Sequence, residues 1–192
     1  MAGGAARRMG GGDKGLRLLA GRPLLAHVIE RMAAQVPGLA LNANGDPARF
    51  SAFGLPVIAD ALPDRPGPLA GVLAGMEWAG ASRADRVLTV PSDSPFLPLD
   101  LLARLDAALG GDEHAVALAA SGGQTHYVVA SWPVSLATEL RASLAEGERK
   151  VRRFQNRYEC VTAIWRPTTH DPFFNVNTPE DLQFAEEILA LR

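Results

Sequence analysis

The sequence predicts an α/β fold, a mostly parallel, doubly wound sheet of Rossmann-like type with an antiparallel pairing at one edge. Three observations carry this. Short β-like apolar runs alternate with helical patterns through the first two thirds of the chain. Several of those runs stop abruptly at polar turns, as strands do at the carboxyl end of such a sheet. The 192 residues, 47% of them apolar, are enough for one domain with a sizeable core.

The opening Met1-to-Lys14 segment holds five glycines together with Arg8 and Lys14. Glycines let a loop fold back with its amides inward, and the two cations add fixed positive charge, a composition suited to phosphate. Glycine-rich loops that bind nothing are common, so the loop alone leaves both readings open. Leu16–Leu19 reads as a small strand. Pro23 suits a first helical turn, and Leu24, Leu25, Val28, Ile29 and Met32 then form one apolar face. Leu39–Leu41 reads as a buried strand ending in the polar turn Asn42-Ala43-Asn44-Gly45-Asp46, and Val57–Ala59 as another that delivers Asp60.

Pro66-Gly67-Pro68-Leu69-Ala70-Gly71 opens a helix to about Ala79 whose small residues permit close backbone approach, for packing or for a ligand. Val87–Val90 is the clearest strand and halts at Pro91-Ser92-Asp93-Ser94-Pro95. Asn42, Asp60 and Asp93 therefore all fall at strand ends, where open α/β sheets place ligands. Residues 115–119 and 126–131 read as the antiparallel pair, and Pro133–Leu144 as a helix. The charged run Glu146–Arg153 is either a solvated face or a binding element. Cys160–Trp165 is strand-like, and Thr178-Pro179 is a helix start for a last helix to about Leu191.

A formal charge of −2 argues against a nucleic-acid binder, and no stretch approaches the ~18 apolar residues that span a bilayer. The single cysteine, Cys160, excludes an intrachain disulfide and fits a reducing compartment. With no secretory segment at the N-terminus, the expectation is a cytoplasmic protein with small-molecule partners.

A-G-G-A-A-R-R-M-G-G-G-D-K at residues 2–14, G-R-P-L at 21–24, N-A-N at 42–44, P-G-P-L-A-G at 66–71, P-S-D-S-P at 91–95, E-G-E-R at 146–149 and N-V-N-T-P-E at 175–180 together resemble the molybdenum cofactor guanylyltransferase family. The resemblance covers nearly the whole chain. It implies a nucleotidyltransferase-type sheet in a single domain, with nucleotide bound by residues 1–95 and acceptor by 96–192. It also implies transfer of GMP from GTP to the terminal phosphate of molybdenum-molybdopterin, with Mg²⁺ as cofactor. Other molybdenum-cofactor enzymes or chaperones are further candidate partners; nucleic acid and membrane are not expected.

On that resemblance Arg8, Lys14 and Asp93 are the candidate catalytic residues, with Asp93 as the Mg²⁺ ligand, since this hard cation takes one or two carboxylates plus phosphate oxygens. Met1, Ala2, Gly3, Gly4, Lys14, Asn42, Asp60, Gly67, Gly71 and Asp93 are the candidate GTP residues, and His126, Arg149, Lys150, Asn175 and Asn177 the candidate acceptor residues. Asn42 in its N-A-N turn can equally be a turn former, and Asn177 can simply precede the helix cap. A phosphate monoester has a second pKa of about 6, so the acceptor is a nucleophile without a general base, and His27, His114 and His170 are not needed for catalysis.

The chain departs from the family pattern in three places. Tyr127 follows His126 where Pro is frequent, Ser92 precedes Asp93 where Cys is common, and no apolar strand precedes the glycine loop. The last departure predicts a slot in the sheet and a poorly stable chain, on the view that the natural reading frame starts upstream of Met1. Rival readings are a cytidylyltransferase using CTP, a sugar-phosphate nucleotidyltransferase, and a non-catalytic nucleotide- or cofactor-binding protein. Pyrophosphate release separates the enzymes from the binder.

Overall fold

The computed structural model describes residue 1 and residues 13–62 and 67–191. Ala2, Gly3, Gly4, Arg8 and Pro66, named above, lie outside the described residues. The described strands are β1 (Leu18–Leu19), β2 (Arg22–Pro23), β3 (Leu41–Asn42), β4 (Val57–Ile58), β5 (Arg86–Thr89), β6 (Val116–Ser121), β7 (Gln124–Pro133) and β8 (Cys160–Trp165). The α-helices are α1 (Leu24–Ala33), α2 (Pro68–Ala81), α3 (Leu101–Leu109), α4 (Ala137–Ala145), α5 (Val151–Gln155) and α6 (Pro179–Ala190).

The main sheet has the order β5-β7-β6-β8, and β3 pairs with β4 in parallel as a separate ribbon. β7 runs antiparallel to both β5 and β6, while β6 and β8 are parallel. Three of the four strands thus share one direction. The expected antiparallel pairing exists, but not at an edge: the reversed strand lies inside the sheet, because the β6–β7 hairpin folds back and inserts β7 between β6 and β5. Strand order is a long-range property that local apolar runs do not encode. The Leu39–Leu41 run is also corrected to the shorter β3, and Leu16–Leu19 divides into a 3₁₀ turn over Lys14–Leu16 followed by β1.

β6 is buried on both faces, and its alternation splits the core in two. Ala117 and Ala119 pack with Val28, Leu101, Leu105 and Trp165, whereas Val116 and Leu118 pack with Leu73, Met76, Trp132 and Phe154. Trp132 is fully buried, and its indole N–H donates to Thr89 Oγ1 at 2.9 Å, so burial leaves no donor unpaired. Arg86 ties three strands together, donating to Ser131 Oγ (3.0 Å) and to the Ala115 carbonyl (2.7 Å).

Among the described residues no strand lies between β3 and β5. A cavity of about 1420 Å³ runs there, lined by both strands and by apolar side chains including Met32, Val36, Leu39, Trp78, Leu88 and Val90. Met1 closes one end. Its ammonium donates to the Val90 carbonyl at 2.8 Å and its own carbonyl accepts from Ser92 N at 3.2 Å, the bonding pattern of a parallel ladder opposite Pro91.

Burial of that ammonium lowers its pKa from 8.0 to about 6, the nearby Asp93 opposing the shift. The folded chain therefore holds fewer protons than the unfolded chain between these values, so stability is lost as pH falls from 8 to 6 and is regained as it rises. Calorimetry of the 192-residue chain is expected to show a Tm about 5 °C higher at pH 8 than at pH 6, from a contribution of about 2 kcal/mol. His126, whose pKa burial also lowers, acts in the same direction. Nα-acetylation isolates the Met1 effect, and an unchanged pH dependence after acetylation would show the amine to be hydrated.

Candidate active site

Three segments distant in sequence meet at the carboxyl end of β5. Lys14 follows the glycine-rich segment of the sequence, Asp93 lies on the turn after β5, and Asn175 and Asn177 precede α6. Lys14 Nζ donates to Asp93 Oδ2 at 2.9 Å and also to Asn177 Oδ1. Both ion-pair partners are largely shielded, with side chains 17% and 15% exposed, so the pair is stronger than one in open solvent. The Asp93 carbonyl accepts from Val176 N at 2.9 Å, fastening the two loops through backbone, and Ser94 Oγ donates to Asn175 Oδ1.

The position of Asn177 follows from its neighbour. Thr178 caps α6 by accepting from Asp181 N at 3.2 Å, and the Asp181 carboxylate accepts in return from Thr178 N (2.9 Å) and Asn177 N (2.8 Å). The cap fixes the backbone of Asn177 and leaves its side chain to Lys14.

A cavity of about 300 Å³ opens beside this cluster, with Met1, Lys14, Asp93, His126, Phe173 and Asn175 in its wall. Tyr127, Val128 and Val129 reach that wall because of a register break. Leu118 pairs with Ala130 but the next residue, Ala119, pairs with His126, so β7 bulges toward the cavity. The larger cavity between β3 and β5 mixes apolar side chains with Arg83, Asp85, Arg86, Asp106, Glu113 and His114, and its wall includes neither Lys14 nor Asp93.

Asn42 and Asp60 form a second polar group at the ends of β3 and β4. Asn42 Nδ2 donates to Asp60 Oδ1 at 2.9 Å, and Asn44 Nδ2 donates to Asp60 Oδ2 at 2.7 Å, while Asn44 Oδ1 accepts from Asp60 N at 2.8 Å. Asn44 belongs to the same N-A-N turn but the sequence singles out only Asn42. Gly71 faces this group. A β-carbon there would collide with the Asn42 amide oxygen and meet the Met1 sulfur at 3.2 Å, so glycine is required for α2 to approach. Gly67 is glycine for a different reason: its φ of 138° is closed to L side chains, and among the described residues no non-neighbouring atom lies within 4 Å of a β-carbon there.

Arg149 and Lys150 do not line the 300 Å³ cavity. The Glu148 carboxylate accepts from both of their backbone amides at 2.9 Å, and these amides hold its pKa below the usual carboxylate range. The Arg149 guanidinium donates to the Leu144 and Glu148 carbonyls at 3.1 and 2.5 Å, so in this structure it serves the end of α4. Among the described residues no three His, Cys, Asp or Glu side chains cluster as a metal site, and no helix is long and apolar enough to cross a membrane.

Residues 1–161 match the model of the MobA-like NTP transferase domain. A relative from Bradyrhizobium sp. (strain ORS 278), named molybdenum cofactor guanylyltransferase, is 55% identical over 194 residues, covering 100% of this chain and 92% of its own length. One of the same name from Rhodopseudomonas palustris (strain BisB5) is 56% identical over 195 residues, with the same coverage. The crystal structure of molybdopterin-guanine dinucleotide biosynthesis protein A from Archaeoglobus fulgidus superposes with a TM-score of 0.75 at 22% identity, over 100% of this chain and 97% of that one. A lysine, a strand-end aspartate and an asparagine pair gathered at one sheet end, on a chain matched along its whole length, leave one assignment: the chain belongs to the MobA-like NTP transferase family.

Proposed function

We propose that this chain transfers GMP from GTP to the terminal phosphate of molybdenum-molybdopterin, releasing pyrophosphate and forming the guanine dinucleotide of the cofactor. The observation that carries this reading is the convergence of Lys14, Asp93, Asn175 and Asn177 beside one cavity, in a chain more than half identical to relatives named for this activity.

An acceptor phosphate oxygen attacks the α-phosphorus of GTP as the bond to the bridging oxygen of the β-phosphate breaks, and pyrophosphate departs with that electron pair. No proton need move, so the protein's task is to hold two anions together and to stabilise charge on the leaving group. Lys14 supplies a fixed cation. Asp93 suits Mg²⁺: only one of its oxygens is engaged by Lys14, and one carboxylate with phosphate oxygens and water satisfies this cation. Bound there, Mg²⁺ would neutralise phosphate charge and polarise the α-phosphorus. Arg8 and the amides of Gly3 and Gly4 are proposed to contact the triphosphate.

Base selection falls to Asp60. Each carboxylate oxygen already accepts one amide N–H, from Asn42 and Asn44, which orients it and leaves further lone pairs. Guanine presents two adjacent donors, N1–H and the exocyclic amine, that fit a carboxylate bidentately; adenine and cytosine offer one amine beside an acceptor. In a panel of GTP, CTP and ATP with molybdenum-molybdopterin and Mg²⁺, pyrophosphate release is expected to favour GTP by at least about 100-fold in kcat/KM. Equal or faster use of CTP would make the chain a cytidylyltransferase, and no release with any nucleotide would make it a binder.

A further inference from the structure

Ser121, the last residue of β6, is completely buried and joins two side chains that do not bond one another. Its hydroxyl donates to Asp171 Oδ1 at 2.7 Å, and its oxygen lies 2.7 Å from His126 Nε2. A hydroxyl has one proton. An ionised carboxylate can only accept, so that proton goes to Asp171, and the serine oxygen must accept from histidine. The chain of bonds therefore places the proton of neutral His126 on Nε2 and leaves Nδ1 with a free lone pair.

Two further contacts hold the arrangement. The imidazole packs on Phe173 with ring centroids 4.6 Å apart, and Asp171 is fixed by accepting from Phe173 N at 2.9 Å. His126 stands in the wall of the site cavity with Lys14, Asp93 and Asn175. Burial lowers its pKa below the ordinary histidine value, more than the neighbouring Asp171 raises it, so the ring is neutral at pH 7 and above.

We infer that Ser121 and Asp171 are positioning residues that lock His126 in its Nε2–H form, so that Nδ1 accepts a hydrogen bond from an N–H donor of the acceptor substrate's heterocycle. A neutral imidazole whose only proton is committed to Ser121 has nothing to donate to a phosphate. The relay thus assigns His126 to the ring portion of the acceptor and leaves the phosphate to the cations. This rests on the function proposed above.

The first test needs no substrate. In ¹⁵N-labelled protein at pH 8, the His126 imidazole is expected to show Nε2 protonated and Nδ1 bare, and Ser121→Ala to shift it to a mixture of tautomers. A protonated Nδ1 in the parent would overturn the relay. The second test is kinetic: Ser121→Ala is expected to raise KM for molybdenum-molybdopterin by about 3- to 10-fold, the loss of one neutral hydrogen bond, with a smaller effect on kcat and on KM for GTP. Ser121→Thr, which keeps the hydroxyl, is expected to restore KM. Asp171→Asn, whose amide oxygen can still accept from Ser121, is expected to keep the tautomer, and it serves if the alanine variant does not fold. If the parent transfers GMP while KM is unaltered by Ser121→Ala, the inference is wrong and the proposed function stands. If the parent transfers nothing to molybdopterin while the tautomer is as described, the proposed function fails and takes the acceptor contact of Nδ1 with it, and only the locking of the tautomer by Ser121 and Asp171 stands.

Discussion

Asp93→Asn is expected to lower kcat/KM for GMP transfer by about 1000-fold or more, the scale on which removing charge stabilisation worth several kcal/mol acts. The change keeps the shape of the side chain and the carbonyl that accepts from Val176 N, so the fastening of the two loops survives. What is lost is the ion pair with Lys14 and the negative oxygens offered to Mg²⁺. A partly shielded pair of this kind is worth about 1 kcal/mol, which moves Tm by no more than about 4 °C in a chain of this size. Steady-state pyrophosphate release and a melting curve measured side by side give both numbers. Turnover near the parent rate in saturating Mg²⁺ would remove Asp93 from the role of metal ligand.

Joining five alternating Val and Ile residues to the nitrogen of Met1 is expected to raise Tm by about 10 °C. The bonds from Met1 to Val90 and Ser92 already set the direction and register of a parallel ladder along β5, and the cavity beyond presents apolar side chains that include Leu39, Trp78, Leu88 and Val90. Each side chain buried there contributes roughly 1.5–3 kcal/mol, from which about 1.5 kcal/mol per residue is subtracted for ordering. The extension also turns a buried ammonium into a peptide N–H and removes the desolvation that lowers the pKa of Met1. A five-residue Gly-Ser extension is the control, since it removes the charge without filling the cavity. Equal Tm values for the two extensions would show that no strand settles between β3 and β5.

Much of the architecture is legible in the sequence because the signals are local. The Thr178-Pro179 pair starts α6 where the cap chemistry puts it, and β8 occupies the apolar run Cys160–Trp165, whereas Pro23, expected in the first turn of α1, ends β2 and precedes the helix. Lys14, Asp93, Asn175 and Asn177 are recognisable from their motifs, although only the fold shows that they meet. The interior place of β7 is set by pairing across the sheet and leaves no local mark. Helix α3 goes unread, although Leu101, Leu105 and Leu109 stand at helical spacing directly after Asp100 at the N-cap position.

Single polar residues are the hardest to read. Ser121 is marked only as the first polar residue after the apolar stretch 115–120, and Asp171 lies in a turn with no motif. Asn44 is half of a recognised turn, yet its grip on Asp60 depends on β3 and β4 lying side by side. Arg149 and Lys150 carry charge that suits phosphate in the run 146–153, and only the fold shows that their backbone amides are held by Glu148.

The bond from Lys14 to Asn177 spans 163 positions of the chain. Contacts of such separation form late, because the entropy of closing the intervening loop must be met before the contact returns anything. During synthesis the glycine-rich segment and the β5 turn emerge long before Asn175 and Asn177, which follow Asp93 by more than eighty residues. A nascent chain therefore holds Lys14 and Asp93 without the strap that fastens them, and affinity for nucleotide should arise only after Asn175 and Asn177 have emerged. The same strap makes α6 the sensitive point of the finished protein, where a protease cut before Thr178 would separate the Asp181 carboxylate from the Asn177 backbone it holds while leaving the four-stranded sheet whole.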